Sequence, residues 1–211
     1  MNATITNFWN HFKENNFVFL LLFDLPKEEI EKHLAKLNDL LYEYNKGLGV
    51  IIRIGEHNSE LIITAKGNPY LFKDVELLVL YAPTLKSWKI TAFLQPHGDI
   101  DEFEKGTDKP FEYHGISLKI SQMYFIPLEY CDNPNRLGIR VYLNNYILHK
   151  DNPRLKEAVY TQIEHLIGEK AFANDINFIE LVQLTTDTLK PQPIALCYLN
   201  DYLREFNDPI L

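Results

Sequence analysis

Apolar residues recur at helical spacing in two segments near the start of the chain. Phe8, Trp9 and Phe12 fall on one side of a short helix that Thr6 can cap, because its hydroxyl can accept a bond from a free backbone N–H of the first turn. A second helix begins near Pro26, whose fixed φ suits a first turn. Its apolar stripe consists of Ile30, Leu34, Leu37, Leu41 and Tyr44.

The pattern then changes to strand-like runs. Residues 49–54 and 60–65 are rich in β-branched side chains and are separated by a polar turn, which predicts a hairpin. Asn68 and Pro69 open a helix, and residues 88–94 follow as a third strand. The helix is apolar on most of its sides, so we expect it to be deeply buried. The side chains that widen its apolar face are Leu77, Leu80 and Tyr81.

A similar order of segments follows in the second half. Residues 95–109 are polar and acidic, which is typical of a solvated linker, and a small hairpin is predicted about His114 and Gly115. Residues 137–143 alternate cleanly, which predicts a half-exposed strand. The other predicted elements are strands at 123–129 and 178–184, a helix that Asn152 and Pro153 open, and a terminal helix at 196–206.

The succession strand, strand, Asn-Pro helix, strand occurs twice, at 48–94 and 123–184. Asn68, Pro69, Leu71 and Val75 match Asn152, Pro153, Leu155 and Val159 at one offset. We therefore predict an α+β fold with two tandem ββαβ pseudo-repeats that form one mainly antiparallel sheet, with helices packed on one face. The chain is then a single domain whose segments are residues 1–47 (N-terminal helices), 48–94, 95–122 (linker and hairpin), 123–184 and 185–211 (C-terminal tail helix).

The amino-acid composition indicates which classes of protein the chain can belong to. The chain of 211 residues is 46% hydrophobic and 24% charged, with a net charge of −8, as in a soluble globular protein. The acidic balance argues against nucleic-acid binding, which needs a basic field. The apolar run at 17–23 is too short for a membrane span, so we expect a buried segment and no membrane partner. Cys131 and Cys197 are isolated, as in cytoplasmic proteins, and a disulfide between them is a minor alternative.

No sequence motif carries recognisable chemistry. The chain lacks HExxH, GxSxG, a phosphate-binding loop and paired CxxC, and its seven histidines never lie four residues apart. Residues 99–104 are acidic but lack the third ligand and the glycine of a calcium loop. Cys131 has no basic neighbour in sequence that would activate it as a nucleophile. We therefore predict no cofactor, no metal site and no catalytic residue, and expect that the protein is not an enzyme.

Three short motifs resemble an uncharacterised bacterial protein family. They are Phe8-Trp9 with Phe12, the helix opening Gly67-Asn68-Pro69, and the strand Leu137-Gly-Ile-Arg-Val-Tyr142. These motifs are structural, and the resemblance implies no activity. At the level of fold alone, the chain is similar to the regulator of ribonuclease activity B family, whose members are small α+β inhibitors of ribonuclease E.

Strand phase predicts a basic and aromatic sheet face. If the alternate apolar residues face the helices, six side chains point away from them: Arg53, Lys89, Thr91, Phe93, Arg140 and Tyr142. Arginine and tyrosine are favoured at protein interfaces, although open sheet faces also carry such residues for solubility and β propensity. We therefore expect a non-enzymatic cytoplasmic protein, either an inhibitor or an immunity-like regulator, that binds a protein partner through this face or through the acidic loop.

Two other functions fit the same sequence. An enzyme, for example a hydrolase, could assemble its site from residues far apart in the chain, which would require a deep pocket with several converging titratable groups. A small-ligand binding module would require an apolar pocket between sheet and helices. A homodimer formed through an exposed strand edge is compatible with each of these functions.

Overall fold

The computed structural model describes residues 2–55, 58–128, 135–185 and 191–208. The chain divides into two compact units, Met1–Leu94 and Gln95–Leu211. The described part is α+β, with eight helices and three mostly antiparallel sheets, so the predicted fold class is confirmed. The predicted single sheet is wrong, because the strands of the N-terminal unit pair only with one another and those of the C-terminal unit form two sheets of their own.

The N-terminal unit begins with helices α1 (Ala3–Leu20) and α2 (Lys27–Tyr44). The cap of α1 is Asn2, whose side chain accepts from the backbone N–H of Thr4, so the helix begins before Thr6 and is longer than predicted. In the run at 17–23, which was expected to be buried, Phe19 and Leu22 are buried, but Phe17 and Leu21 near the end of α1 are exposed. Pro26 precedes α2 as predicted.

An aromatic core joins α1 to the sheet of this unit. Phe12 stacks on Phe19 with ring centroids 5.5 Å apart and meets Trp88 edge-on at 5.0 Å. Trp9 donates from Nε1 to the carbonyl oxygen of Leu78 at 2.8 Å. The aromatic residues that the sequence grouped on one helix side therefore form the core of this unit.

Three strands form the sheet of the N-terminal unit: β1 (Gly49–Arg53), β2 (Ser59–Thr64) and β3 (Trp88–Ala92). β1 runs antiparallel to β2, and β3 lies parallel on its other side. Helix α3 (Phe72–Leu80) connects β2 to β3 and follows a 3₁₀ turn at Pro69–Leu71. Glu56 and His57, which the sequence places in the hairpin turn, lie outside the described residues.

One prediction about α3 is wrong. Phe72, Val75 and Leu78 are buried on its inner side, but Leu77, Leu80 and Tyr81 are exposed. The helix is therefore apolar on two opposite sides, of which only one packs on the sheet.

The C-terminal unit begins with a helix that the sequence did not predict. Residues 95–109, expected to be a linker, contain α4 (Ile100–Lys105), which Asp99 caps and Gly106 ends in the left-handed conformation. The predicted hairpin follows as β4 (Phe111–Tyr113) and β5 (Ile116–Leu118). His114 and Gly115 both have positive φ in its turn.

The larger sheet of this unit has the strand order β8-β7-β6-β9. β6 and β7 are antiparallel, and β8 lies parallel to β7. β7 is buried at every position except Arg140, so the predicted half exposure is wrong. The strands are β6 (Met123–Leu128), β7 (Leu137–Leu143), β8 (Ile176–Gln183) and β9 (Ile194–Ala195).

Helices complete the C-terminal unit. α6 contributes much of the core through side chains that include Leu155, Val159 and Ile163, as its apolar spacing predicts. The terminal helix α8 also follows the prediction, whereas α5 and α7 were missed because they are short. The helices are α5 (Tyr146–His149), α6 (Leu155–Ile167), α7 (Glu169–Asp175) and α8 (Leu199–Asn207).

Candidate interaction surfaces

Three of the predicted face residues lie around a single glutamate on the sheet of the N-terminal unit. Glu60 lies at the centre of the cluster, opposite Arg53 on β1 and Lys89 on β3. Its carboxylate lies 3.6 Å from Arg53 Nη1 and 3.3 Å from Lys89 Nζ, and it accepts from the hydroxyl of Thr91 at 2.8 Å. The two basic side chains predicted from the sequence therefore share one carboxylate partner on the central strand.

The contacts around Glu60 lower the pKa of its carboxyl group. Burial by itself would raise the pKa of this carboxyl, but the hydrogen bonds from Thr91 and Lys89, together with the charges of Lys89 and Arg53, lower it. Glu60 therefore carries its negative charge more firmly than an isolated glutamate does. We call Arg53, Glu60, Lys89 and Thr91 the polar cluster.

The prediction that Phe93 is exposed on this face is wrong. Phe93 is only 3% exposed and packs edge-on against Phe72, with ring centroids 4.9 Å apart. Its φ is +65°, so the chain turns immediately after Ala92, where β3 ends. The alternation of side chains along β3 therefore does not extend to Phe93, and strand phase gave the wrong direction.

The other two predicted residues lie on β7 in the C-terminal unit. Arg140 donates from Nε to Glu180 of β8 at 2.8 Å, directly across the strands, and this bond raises the pKa of the guanidinium. Tyr142 is only 6% exposed, so the prediction that it faces solvent is wrong. Five of the six predicted residues thus lie on strands of two separate sheets, Phe93 lies just after β3, and four of the six are not buried.

The sequence did not identify a group of exposed apolar side chains on the N-terminal unit. Leu77, Leu80 and Tyr81 are spaced so that they share one side of α3, and Leu80 is 74% exposed. We call these three residues the α3 face. The sequence does show a helix that is apolar on two sides. Such a helix can be buried on both sides or exposed on one, and burial on both sides was expected from the sequence.

A groove in the C-terminal unit brings together residues that are distant in sequence. Its cavity volume is about 610 Å³. The backbone N–H of His97 donates to the carbonyl oxygen of His165 at 2.8 Å, which joins the loop before α4 to the last turn of α6. We call this cavity the α4–α6 groove. Its polar lining includes His97, Asp99, Glu102, Asp108, Gln162 and His165.

Other candidates for chemistry find little support in the described residues. Within residues 2–55, 58–128, 135–185 and 191–208, no group of three or more histidine, cysteine, aspartate or glutamate side chains is arranged to hold a metal. Cys197 is a free, buried thiol, and burial together with Glu104 raises its pKa, which disfavours the reactive thiolate. Cys131, the other cysteine considered as a nucleophile, lies outside the described residues.

The comparisons give no relative from which a function could be inferred. Searches against protein-family models, curated proteins and solved structures found no match to this chain. None of the described helices combines the length and the apolar character that crossing a bilayer requires. The function of the protein must therefore be inferred from the surfaces of the molecule.

Proposed function

We propose that this protein is a non-enzymatic regulator, of the inhibitor or immunity type, that acts by binding another protein through the α3 face. The observation that carries the proposal is the exposure of Leu77, Leu80 and Tyr81 on a helix whose other side is fully packed. Exposed apolar patches on soluble proteins mark interaction sites, because their burial on association is favourable.

The net charge of the chain limits which partners it attracts. The chain carries a net charge of −8, so long-range attraction favours a partner with a basic surface around its apolar contact. The same charge disfavours nucleic acids and anionic membranes as partners. A second copy of the chain would have to overcome this repulsion, although a homodimer remains one of the predicted arrangements.

The experiment compares two leucines that are both strongly exposed. Tagged wild-type protein, Leu80→Asp and Leu148→Asp are used in parallel affinity purifications from the native cells. Leu148 lies on α5 and is 81% exposed, so its substitution introduces the same charge away from the α3 face. We expect a stoichiometric partner that Leu80→Asp loses and Leu148→Asp retains. Retention of the partner by a folded Leu80→Asp protein would exclude the α3 face.

The sheet faces predicted from the sequence provide a second test. Arg53, Lys89, Thr91 and Arg140 remain proposed contacts, whereas Phe93 and Tyr142 do not, because both are buried. Arg140→Glu would place two carboxylates opposite each other at Glu180 and is expected to weaken partner binding if β7 contributes to the interface. If Arg140→Glu abolishes binding and Leu80→Asp does not, the sheet face is the interface.

We further propose that the two ββαβ segments arose by duplication. In the segment 48–94, β1 and β2 are antiparallel and β3 lies parallel beside β2; in the segment 123–184, β6 and β7 are antiparallel and β8 lies parallel beside β7. The side chains of Asn68 and Asn152 both accept from the backbone N–H two residues later, at 3.1 Å and 2.9 Å. The same local side-chain to backbone hydrogen bond, before the helix of the same topology, supports a common origin.

We also place the protein in the cytoplasm. The free, buried Cys197 supports this location, because reduced thiols persist in reducing compartments. An enzyme with a site built from distant residues and a small-ligand module remain the alternative functions, and the α4–α6 groove is the feature that would serve either of them.

A further inference from the structure

We propose that His11 is a pH-sensitive element of the N-terminal unit, whose protonation in mild acid weakens the packing of α1 on α2. His11 lies at the middle of α1, close enough to α2 for the charges of His33 and Lys36 to act on it. Its side chain is only partly exposed, and the Nε2 atom is buried. Histidine is the side chain whose charge changes most readily near neutral pH, so a buried ring nitrogen between two packed helices responds to mild acid.

The two ring nitrogens of His11 are placed for a neutral ring. Asn15, one turn further along α1, donates from Nδ2 to the carbonyl oxygen of His11 at 2.8 Å, and the same Nδ2 lies 3.3 Å from Nδ1. Nδ1 therefore faces a donor and serves as an acceptor, which leaves the proton of the neutral ring on Nε2. Nε2 has no hydrogen-bond partner among the described residues.

A protonated His11 would fit this environment poorly. An imidazolium carries a proton on both nitrogens, so the proton on Nδ1 would meet the amide N–H of Asn15 and the proton on Nε2 would remain buried without an acceptor. A buried donor without a partner is costly, and the cost is larger when the group is charged. The structure therefore accommodates the neutral ring better than the cation.

The charges around His11 add to this preference. Burial has the largest effect and lowers the pKa of His11, Lys36 of α2 lowers it further, and the charge of His33 acts in the same direction. Glu14, on α1 itself, acts in the opposite direction and does not reverse the shift. Glu29 lies 3.7 Å from Nε2 of His33, so a carboxylate is close to that ring on α2. The cation of His11 is thus opposed by its burial and by the facing helix.

The lowered pKa makes the stability of the N-terminal unit depend on pH. An unfolded histidine titrates near about 6.5. Because the folded protein keeps His11 neutral below that value, the unfolded chain binds more protons, and the free energy of unfolding falls as the pH drops through this range. Glu60 acts in the same direction only in stronger acid, since its pKa lies below that of an ordinary glutamate. The two effects are therefore separated in pH.

The packing of α1 can be followed through the aromatic core. Trp9 and Trp88 are the two tryptophans of the chain, and both contact Phe12 of α1. Trp9 also lies on α1 and donates to the carbonyl oxygen of Leu78 on α3. Intrinsic tryptophan fluorescence therefore reports on the N-terminal unit within the complete chain.

The first measurement is the pKa of His11 in the folded, full-length protein. The imidazole Cε1–Hε1 signals of ¹³C,¹⁵N-labelled protein are assigned by through-bond NMR and followed as the pH is lowered. We expect His11 to titrate below the range of an unfolded histidine. Lys36→Gln removes an exposed cation of the facing helix and should raise the pKa of His11. Lys27→Gln, the same substitution at the start of α2, should leave it unchanged.

The second measurement is stability against pH. Urea unfolding of wild type, His11→Gln and His97→Gln is followed by tryptophan fluorescence between about pH 7 and about pH 5. We expect the urea midpoint of wild type to fall across this range and the fall to be smaller in His11→Gln, because glutamine takes up no proton. His97 is an exposed histidine of the C-terminal unit, so His97→Gln should follow wild type.

Three results would contradict the role of His11. One is a pKa of His11 at or above that of an unfolded histidine, which would mean that the folded protein accepts the cation. Another is an equal shift of this pKa in Lys36→Gln and Lys27→Gln, because the facing charge would then have no particular effect. The last is a fall in the urea midpoint that is as large in folded His11→Gln as in wild type. If His11→Gln does not fold, the titration of wild type and the two lysine variants still decides the question.

Discussion

Two buried tryptophans in the N-terminal unit differ in one hydrogen bond. Trp9 Nε1 donates to the carbonyl oxygen of Leu78, whereas Trp88 Nε1 has no hydrogen-bond partner among the described residues. Both side chains pack in the same aromatic core, since each contacts Phe12. Replacing Trp9 with phenylalanine therefore removes packing and one of two donors to the Leu78 carbonyl, which also accepts from the backbone N–H of Tyr81 at 3.2 Å.

We expect Trp9→Phe to lower the free energy of unfolding by about 1 kcal/mol more than Trp88→Phe does. The two substitutions remove the same atoms, so their difference reports the hydrogen bond of Trp9 together with the relief of the unpaired Nε1 of Trp88. Urea unfolding of both variants followed by far-UV circular dichroism measures it. Equal losses in the two variants would mean that the bond to Leu78 contributes little to stability.

The polar cluster makes stability depend on pH through Glu60. Its pKa is lowered in the folded protein, whereas an unfolded glutamate titrates near about 4.3. A lowered folded pKa means that the stabilisation is complete above the unfolded value and is lost as the pH falls through the folded value. The contacts with Arg53, Lys89 and Thr91 therefore stabilise the protein at neutral pH and not in strong acid.

We expect Glu60→Gln to lower the free energy of unfolding by about 1 kcal/mol at neutral pH, and this difference from wild type should shrink as the solution is made acidic. Urea unfolding at a series of pH values measures the effect. Glu112→Gln is the control, because Glu112 is an exposed strand residue whose contact is with the hydroxyl of Ser117. A difference that persists at low pH would show that the charge of Glu60 is not its cause.

At the scale of elements, local signals in the sequence are sufficient to predict the positions of most helices and strands. Period and capping residues located α2, α6 and the first two strands, because Pro26 and the Asn-Pro pairs act within one turn. The helix α4 was missed, since its six residues are too few to show an apolar period among so many acidic side chains. Burial was harder to predict than element type.

The failures at the candidate surfaces have two causes. Phe93 was assigned by alternation, but a positive φ reverses the chain at that position, and no propensity rule anticipates it for a phenylalanine. Leu77 and Leu80 were assigned to the core because they are apolar, yet α3 packs through one side only. Which side of an element is covered depends on distant segments, so the sequence predicted the elements well and the surfaces poorly.

At the scale of the whole molecule, each unit has the features of an independent domain. The core cluster of the C-terminal unit is formed by residues between Ile116 and Leu203, and the aromatic core of the N-terminal unit lies between Phe8 and Trp88. Domains of about 50 to 250 residues with their own cores fold alone. The division at Leu94 therefore predicts two autonomous folding units.

We expect the separately expressed fragments 1–94 and 95–211 each to unfold in a cooperative thermal transition measured by circular dichroism. A fragment 1–66 is the control, because it retains α1, α2 and the first hairpin but lacks α3 and β3. It therefore loses Trp88, which packs on Phe12, and Leu78, whose carbonyl accepts from Trp9. This fragment should show no cooperative transition. If fragment 1–94 is also unfolded although the complete chain is folded, its aromatic core is insufficient and the unit depends on the rest of the chain.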